Sequence, residues 1–127
     1  MAHPVVNTPR LQAARERLAP VIAALPGAEE RISHGSPTYF TGPGRKGRTF
    51  ASLHDERDYS LGRLCLWLAA PDGMQRGLVE GEPERYFVPP YVGHRGWVGM
   101  RLDLPDVDWE DVAAAVEDAY AFVTAGR

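Results

Sequence analysis

Three stretches of this sequence hold residues suited to chemistry. The first, Gly42-Pro43-Gly44-Arg45-Lys46-Gly47-Arg48-Thr49, sets three cations within four positions of a glycine-rich segment. It matches the phosphate-cradling pattern G-x-x-x-x-G-K-[ST] except that Arg48 stands where the pattern requires lysine. A phosphate cradle also needs a helix to start at the end of the loop, so that backbone N–H groups converge on the anion. Here Phe50-Ala51-Ser52-Leu53 reads as strand instead. The segment is therefore expected to be a basic hairpin wing whose Arg45, Lys46 and Arg48 contact nucleic-acid phosphates. Charged hairpin tips also serve simply to stay solvated and to discourage edge pairing.

The second stretch runs from Pro89-Pro90-Tyr91-Val92-Gly93 through His94-Arg95-Gly96-Trp97. Two prolines fix an extended approach, two glycines permit unusual backbone angles, and Tyr91, Arg95 and Trp97 bring rings and a cation. Such a loop either binds a ligand or partner, with Tyr91 and Arg95 as secondary nucleic-acid contacts, or packs Tyr91 and Trp97 against one end of the core. The third set comprises His34, His54, His94, Asp55, Glu56, Asp58 and Cys65. These are the residue types of hydrolytic and metal sites, but no two histidines lie four apart and no Cys-x-x-Cys or His-x-Glu occurs. The expectation is no catalytic residues, no metal and no cofactor, with His34 in a turn and Cys65 packed as a small hydrophobe.

The elements that must position these residues follow from periodicity. Thr8 and Pro9 read as the cap and first residue of a helix whose Leu11, Ala14, Leu18, Ile22 and Leu25 fall at helical spacing, with a kink or restart expected at Pro20. Residues 37–41 and 48–53 form a hairpin around the basic loop, and Arg63 to Ala69 reads as a central strand covered on both faces. A short helix over 72–79, an extended 85–88 and a strand over 97–104 follow. A last helix is capped by Asp108, with Val112, Val116, Ala119 and Val123 on its apolar face. The connections predict an α+β fold, an antiparallel sheet with the N- and C-terminal helices packed on one face.

Composition sets the outer bounds. A chain of 127 residues, 44% hydrophobic and 24% charged, suits a single domain over 1–127, and one cysteine excludes a disulfide framework. No apolar run is long enough to span a bilayer, so a cytoplasmic protein without a membrane partner, and a monomer, is expected. The net charge of −3 is unevenly spread. Residues 31–101 carry ten basic against seven acidic side chains, whereas residues 102–127 carry one against seven.

In order along the chain, Ser33-His34-Gly35-Ser36-Pro37-Thr38-Tyr39-Phe40, Gly47-Arg48-Thr49-Phe50-Ala51, Tyr86-Phe87-Val88-Pro89-Pro90-Tyr91-Val92-Gly93 and Gly96-Trp97-Val98-Gly99-Met100-Arg101-Leu102-Asp103 resemble the MmcQ/YjbR family of small bacterial proteins. The Asp108-Trp109 helix extends the resemblance to about residues 11–124. It implies a compact α+β fold of the frataxin-like, double-wing group and a DNA partner, with residues 40–50 as the first wing and the 89–97 loop within a second contact surface. Where that family commonly has lysine, this chain has Arg48. The reading of the sequence is thus a non-enzymatic binding module contacting DNA through Arg45, Lys46 and Arg48, or alternatively a small-ligand or protein-interaction module built on the 89–97 loop.

Overall fold

The computed structural model describes residues 7–44, 47–55 and 62–125. Arg45 and Lys46 of the basic wing therefore lie outside the described residues, as does the polar segment 56–61. Helix α1 (Pro9–Ala23) begins as its sequence dictates: the Thr8 hydroxyl accepts from Leu11 N–H at 3.2 Å and Pro9 opens the first turn. Leu11, Ala14, Leu18 and Ile22 make its buried stripe. The expected restart at Pro20 does not occur: α1 continues through it as one helix.

Six strands make one sheet: β1 (Glu29–Ser33), β2 (Ser36–Phe40), β3 (Thr49–His54), β4 (Cys65–Leu68), β5 (Tyr86–Phe87) and β6 (Val98–Arg101). Their spatial order is β1-β2-β3-β4-β6-β5 and all neighbours are antiparallel. Helix α2 (Met74–Gly81) joins β4 to β5, a 3-10 turn (Gly93–Arg95) precedes β6, and α3 (Trp109–Ala125) closes the fold. The N- and C-terminal helices pack on each other and on β3, so they cover the same face of the sheet. Asp108 accepts from Glu110 N–H at 2.9 Å at the start of α3, whose Val112, Val116 and Ala119 are buried. Strand β1 was not anticipated. It is an edge strand of Glu, Arg and Ser with only Ile32 apolar, tied to β2 by the two-residue turn His34-Gly35, both at positive φ (54° and 82°) as a tight hairpin requires.

One irregularity decides which side chains face which way. In the β2–β3 pairing Tyr39 opposes Ala51 but Phe40 opposes Thr49, which leaves Phe50 as an extra residue. A bulge of this kind reverses the alternation locally. Phe50 is fully buried and meets Tyr120 of α3 edge-to-face, ring centroids 5.4 Å apart, while Thr49 and Ser52 turn to the opposite face.

The end of β3 is locked to the start of α1. Asp55, completely buried, accepts from Arg10 Nε at 2.9 Å, from Arg10 Nη2 and from the Thr8 hydroxyl. Arg10 remains 40% exposed, so the two partners respond differently to mutation. Arg10→Met strands a buried carboxylate and should cost about 3–5 kcal/mol in urea unfolding. Asp55→Asn leaves an arginine that water can reach and should cost about 1–2 kcal/mol; equal losses would contradict the clamp.

Cys65 lies at the centre of the sheet, and burial pushes its thiol up from 9.0 to about 12. Tyr39, buried beside the Glu30 carboxylate, is also raised, by burial first and that carboxylate second. At pH 8 the folded thiol should react with iodoacetamide roughly a thousandfold more slowly than an unfolded one. Folding favours the protonated forms, so the unfolded chain releases these protons first and stability should fall as pH rises from about 9 towards 12. Urea midpoints at pH 8 and 10.5 check the sign, and Cys65→Ala should remove the thiol's share of the loss.

Candidate functional site

The face of the sheet turned away from α1 and α3 holds a concavity of about 560 Å³. Its floor is a row of directly opposed residues, Thr38 on β2, Ser52 on β3 and Trp67 on β4. The row continues through Gly99 on β6 to Phe87 on β5. A Cβ at Gly99 would come within 2.4 Å of the Phe87 ring, so glycine is what lets that ring lie across β6. His54, two residues along β3, stacks on Trp67 with centroids 3.7 Å apart at 30° and places Nε2 2.7 Å from the Ser52 hydroxyl. At the rim the Ser33 hydroxyl meets His34 Nδ1 at 3.1 Å.

The opposing wall comes from the 89–97 loop, which contributes Tyr91, Val92 and Trp97. Gln75 on α2 holds this loop in place: its side-chain amide donates to Gly93 O at 2.8 Å and to Trp97 O at 2.6 Å. At Gly93 a Cβ would sit 2.6 Å from Val88 Cγ1, so the tight fold of the loop requires glycine. Trp97 is buried, whereas Tyr91 is 74% exposed and stands at the mouth. Tyr91 (φ 68°) and His34 (φ 54°) are the two non-glycine residues at positive φ among those described, and both line this one concavity. Strained backbone of this sort clusters where side chains must be aimed at a ligand.

A second concavity, about 480 Å³, opens at the end of the sheet where β3 and β6 begin. Arg48, Arg95 and Phe122 line it together with Thr49 and Trp97, which also line the first. Arg48 and Arg95, predicted separately from two loops, thus meet at one hollow, and Arg95 lies 5.6 Å from the centre of the Trp97 ring. The hairpin carrying Arg48 is closed by Thr41, whose N–H donates to Arg48 O at 2.8 Å and whose hydroxyl accepts from Arg48 N–H at 3.0 Å. The other described arginines are engaged elsewhere. Arg10, Arg15, Arg31, Arg76, Arg85 and Arg101 pair with carboxylates, while Arg17 and Arg63 lie over Trp109 and Phe87. Arg48 and Arg95 form no ion pair with a carboxylate of the described residues.

The arrangement brings together stacked rings, hydroxyls that donate or accept, and two cations at one side. Ser52 and His54 resemble part of a nucleophile relay, but the adjacent carboxylate, Asp55, is committed to Arg10 and Thr8. Among the described residues no three His, Cys, Asp or Glu side chains gather as metal ligands, and no helix is long and apolar enough to cross a membrane. Of the residues expected at the site, Arg48 and Arg95 meet at the second hollow and Tyr91 lines the first, while Arg45 and Lys46 lie outside the described residues. Thr38, Ser52, His54, Trp67 and Gln75 were not singled out as binding residues. Their one local signal is the alternation along each strand, which the bulge at Phe50 interrupts.

Comparison with known proteins agrees with this architecture. The crystal structure of Deinococcus radiodurans protein DR2400, a protein with a DUF419 domain, superposes with a TM-score of 0.69 over 84% of this chain and 75% of that one, at 22% identity. At that identity the likeness is one of fold. No curated protein matches the chain. The family model YjbR matches residues 23–122, which include every strand of the sheet, the lining of the first concavity, that of the second except Val123, and most of α3. On that match the chain belongs to the YjbR family.

Proposed function

We propose that this protein is a non-catalytic module that binds a small planar ligand in the concavity between the β2–β4 face and the 89–97 loop. The observation that carries this reading is that Tyr91 and Trp97 line an open hollow with Trp67 and a set of hydroxyls, rather than both packing into the core. Its volume, about 560 Å³, falls within the roughly 300–1,000 Å³ of small-molecule sites. Rings give a flat molecule its stacking surface, and Thr38, Thr49 and Ser52 offer hydrogen bonds at its edge.

Titration of the ¹⁵N-labelled chain with the neutral planar probes indole and adenosine should move the indole N–H signals of Trp67 and Trp97 while leaving that of Trp109 in place. Tyr91 is exposed and outside the core, so Tyr91→Ala should weaken adenosine binding about tenfold without unfolding the protein. Shifts spread over the surface, or none at the concavity, would reject the site.

A second reading, contact with DNA, draws support from the convergence of Arg48 and Arg95 and from Arg45 and Lys46 in the same loop as Arg48. Three wing cations on phosphates give a log–log salt slope of about −2.7 on duplex DNA. Replacing Arg45, Lys46 and Arg48 with Gln should flatten that slope and abolish retention at low salt. Undiminished binding by the triple variant would exclude the wing as the DNA contact.

A further inference from the structure

We infer that the ligand is a free aromatic phosphate monoester of mononucleotide size, its ring in the first concavity and its phosphate between Arg48 and Arg95. The inference rests on the ligand-binding reading above and names the chemical class that the site takes. The two hollows are continuous in a specific sense: Thr49 and Trp97 belong to the lining of both. A ring stacked beside Trp97 therefore lies next to the second hollow, where the Arg95 guanidinium is 5.6 Å from the Trp97 ring.

Electrostatics selects an anion for that second hollow. Six described arginines pair with carboxylates; Arg17, Arg48, Arg63 and Arg95 do not, and of these four Arg48 and Arg95 line one hollow together. Both are exposed at that hollow, and an anion there can accept charge-assisted hydrogen bonds from either guanidinium. A phosphate monoester, with close to two negative charges at neutral pH, matches two guanidiniums better than a singly charged diester or carboxylate. The ring side of the site favours a heteroaromatic over a hydrocarbon. Thr38, Thr49 and Ser52 present hydroxyls beside the stacked His54 and Trp67 rings; the Thr38 hydroxyl donates to Ser36 O at 3.0 Å and that of Ser52 meets His54 Nε2 at 2.7 Å, and each oxygen can still accept from a ring N–H or amino group.

The same chemistry occurs on a free mononucleotide and at the phosphorylated 5′ end of a nucleic-acid strand, and the experiment separates them. The full chain is titrated at fixed ionic strength with adenosine 5′-monophosphate, adenosine, inorganic phosphate and 5′-phosphorylated hexathymidylate, followed by calorimetry and by the Trp67 and Trp97 indole signals. Adenosine 5′-monophosphate should bind at least tenfold more tightly than adenosine and more tightly than inorganic phosphate. The double variant Arg48→Gln, Arg95→Gln should bring it down to the level of adenosine while leaving adenosine binding unchanged. Equal affinity for the two nucleoside forms, or an advantage that survives the double variant, overturns the inference while adenosine binding at the concavity keeps the ligand-site reading intact. Tenfold tighter binding of the hexanucleotide overturns it in favour of a strand end. Failure of every probe to move Trp67 and Trp97 removes both readings.

Discussion

The structure turns on one extra residue in β3. Without the bulge at Phe50, strict alternation would keep Phe50 on the side of Ser52 and His54, and Thr49 would face the helices. With it, Phe50 joins Ala51 in the packed layer beneath α3 and meets Tyr120, and Thr49 turns to the face that Ser52 and His54 occupy. One local offset thus supplies an aromatic to the core and a hydroxyl to the junction of the two hollows. The same displacement brings Arg48, immediately before the strand, to the end of the sheet where Arg95 stands.

The remaining constraints act on the loop that completes the site. Residues 89–97 have little regular structure of their own beyond the Gly93–Arg95 turn, yet they hold Tyr91 and Trp97 at fixed positions. Their support comes from α2, a short helix with no buried residue, whose Gln75 satisfies two loop carbonyls. Two carbonyls bonded to one amide tie the loop to a neighbouring element rather than to itself, which suits a wall that must keep its shape while facing solvent. At the opposite end of β3, Asp55 plays the corresponding part by anchoring the strand to the cap of α1. The strand that carries Thr49, Ser52 and His54 is thereby held at its distal end as well as along both ladders.

Much of the fold was legible because its signals are local. The Thr8 cap, the stripes of α1 and α3 and the doubly covered run Cys65–Leu68 each show within a few residues. Strand β1 was not, since Glu29, Glu30, Arg31 and Ser33 give an edge strand no apolar face to betray it. The site divides in the same way. Tyr91, Arg95 and Arg48 stand out by type in glycine-rich segments, whereas Ser52, His54 and Trp67 look like ordinary strand residues. They meet through the pairing of Ser52 with Trp67, a long-range register. Phe122 illustrates the converse: an aromatic beside Val123 of the apolar face of α3, it is 43% exposed and lines the second hollow.

The two strained residues bear on how the site works, and they are not equivalent. His34 at φ 54° is explained by the turn itself, because a two-residue connection between β1 and β2 needs positive φ at both positions and Gly35 supplies the other. At Tyr91 the φ of 68° belongs to a tight three-residue turn, closed by Val92 N–H donating to Pro90 O at 2.8 Å, a conformation that costs of order 1–3 kcal/mol. What that conformation achieves is the placement of a largely exposed ring at the mouth of the concavity, opposite Trp67. Three constraints thus act on the 89–97 loop together: the turn at Tyr91, the bonds from Gln75 to Gly93 O and Trp97 O, and the close packing of Gly93 on Val88.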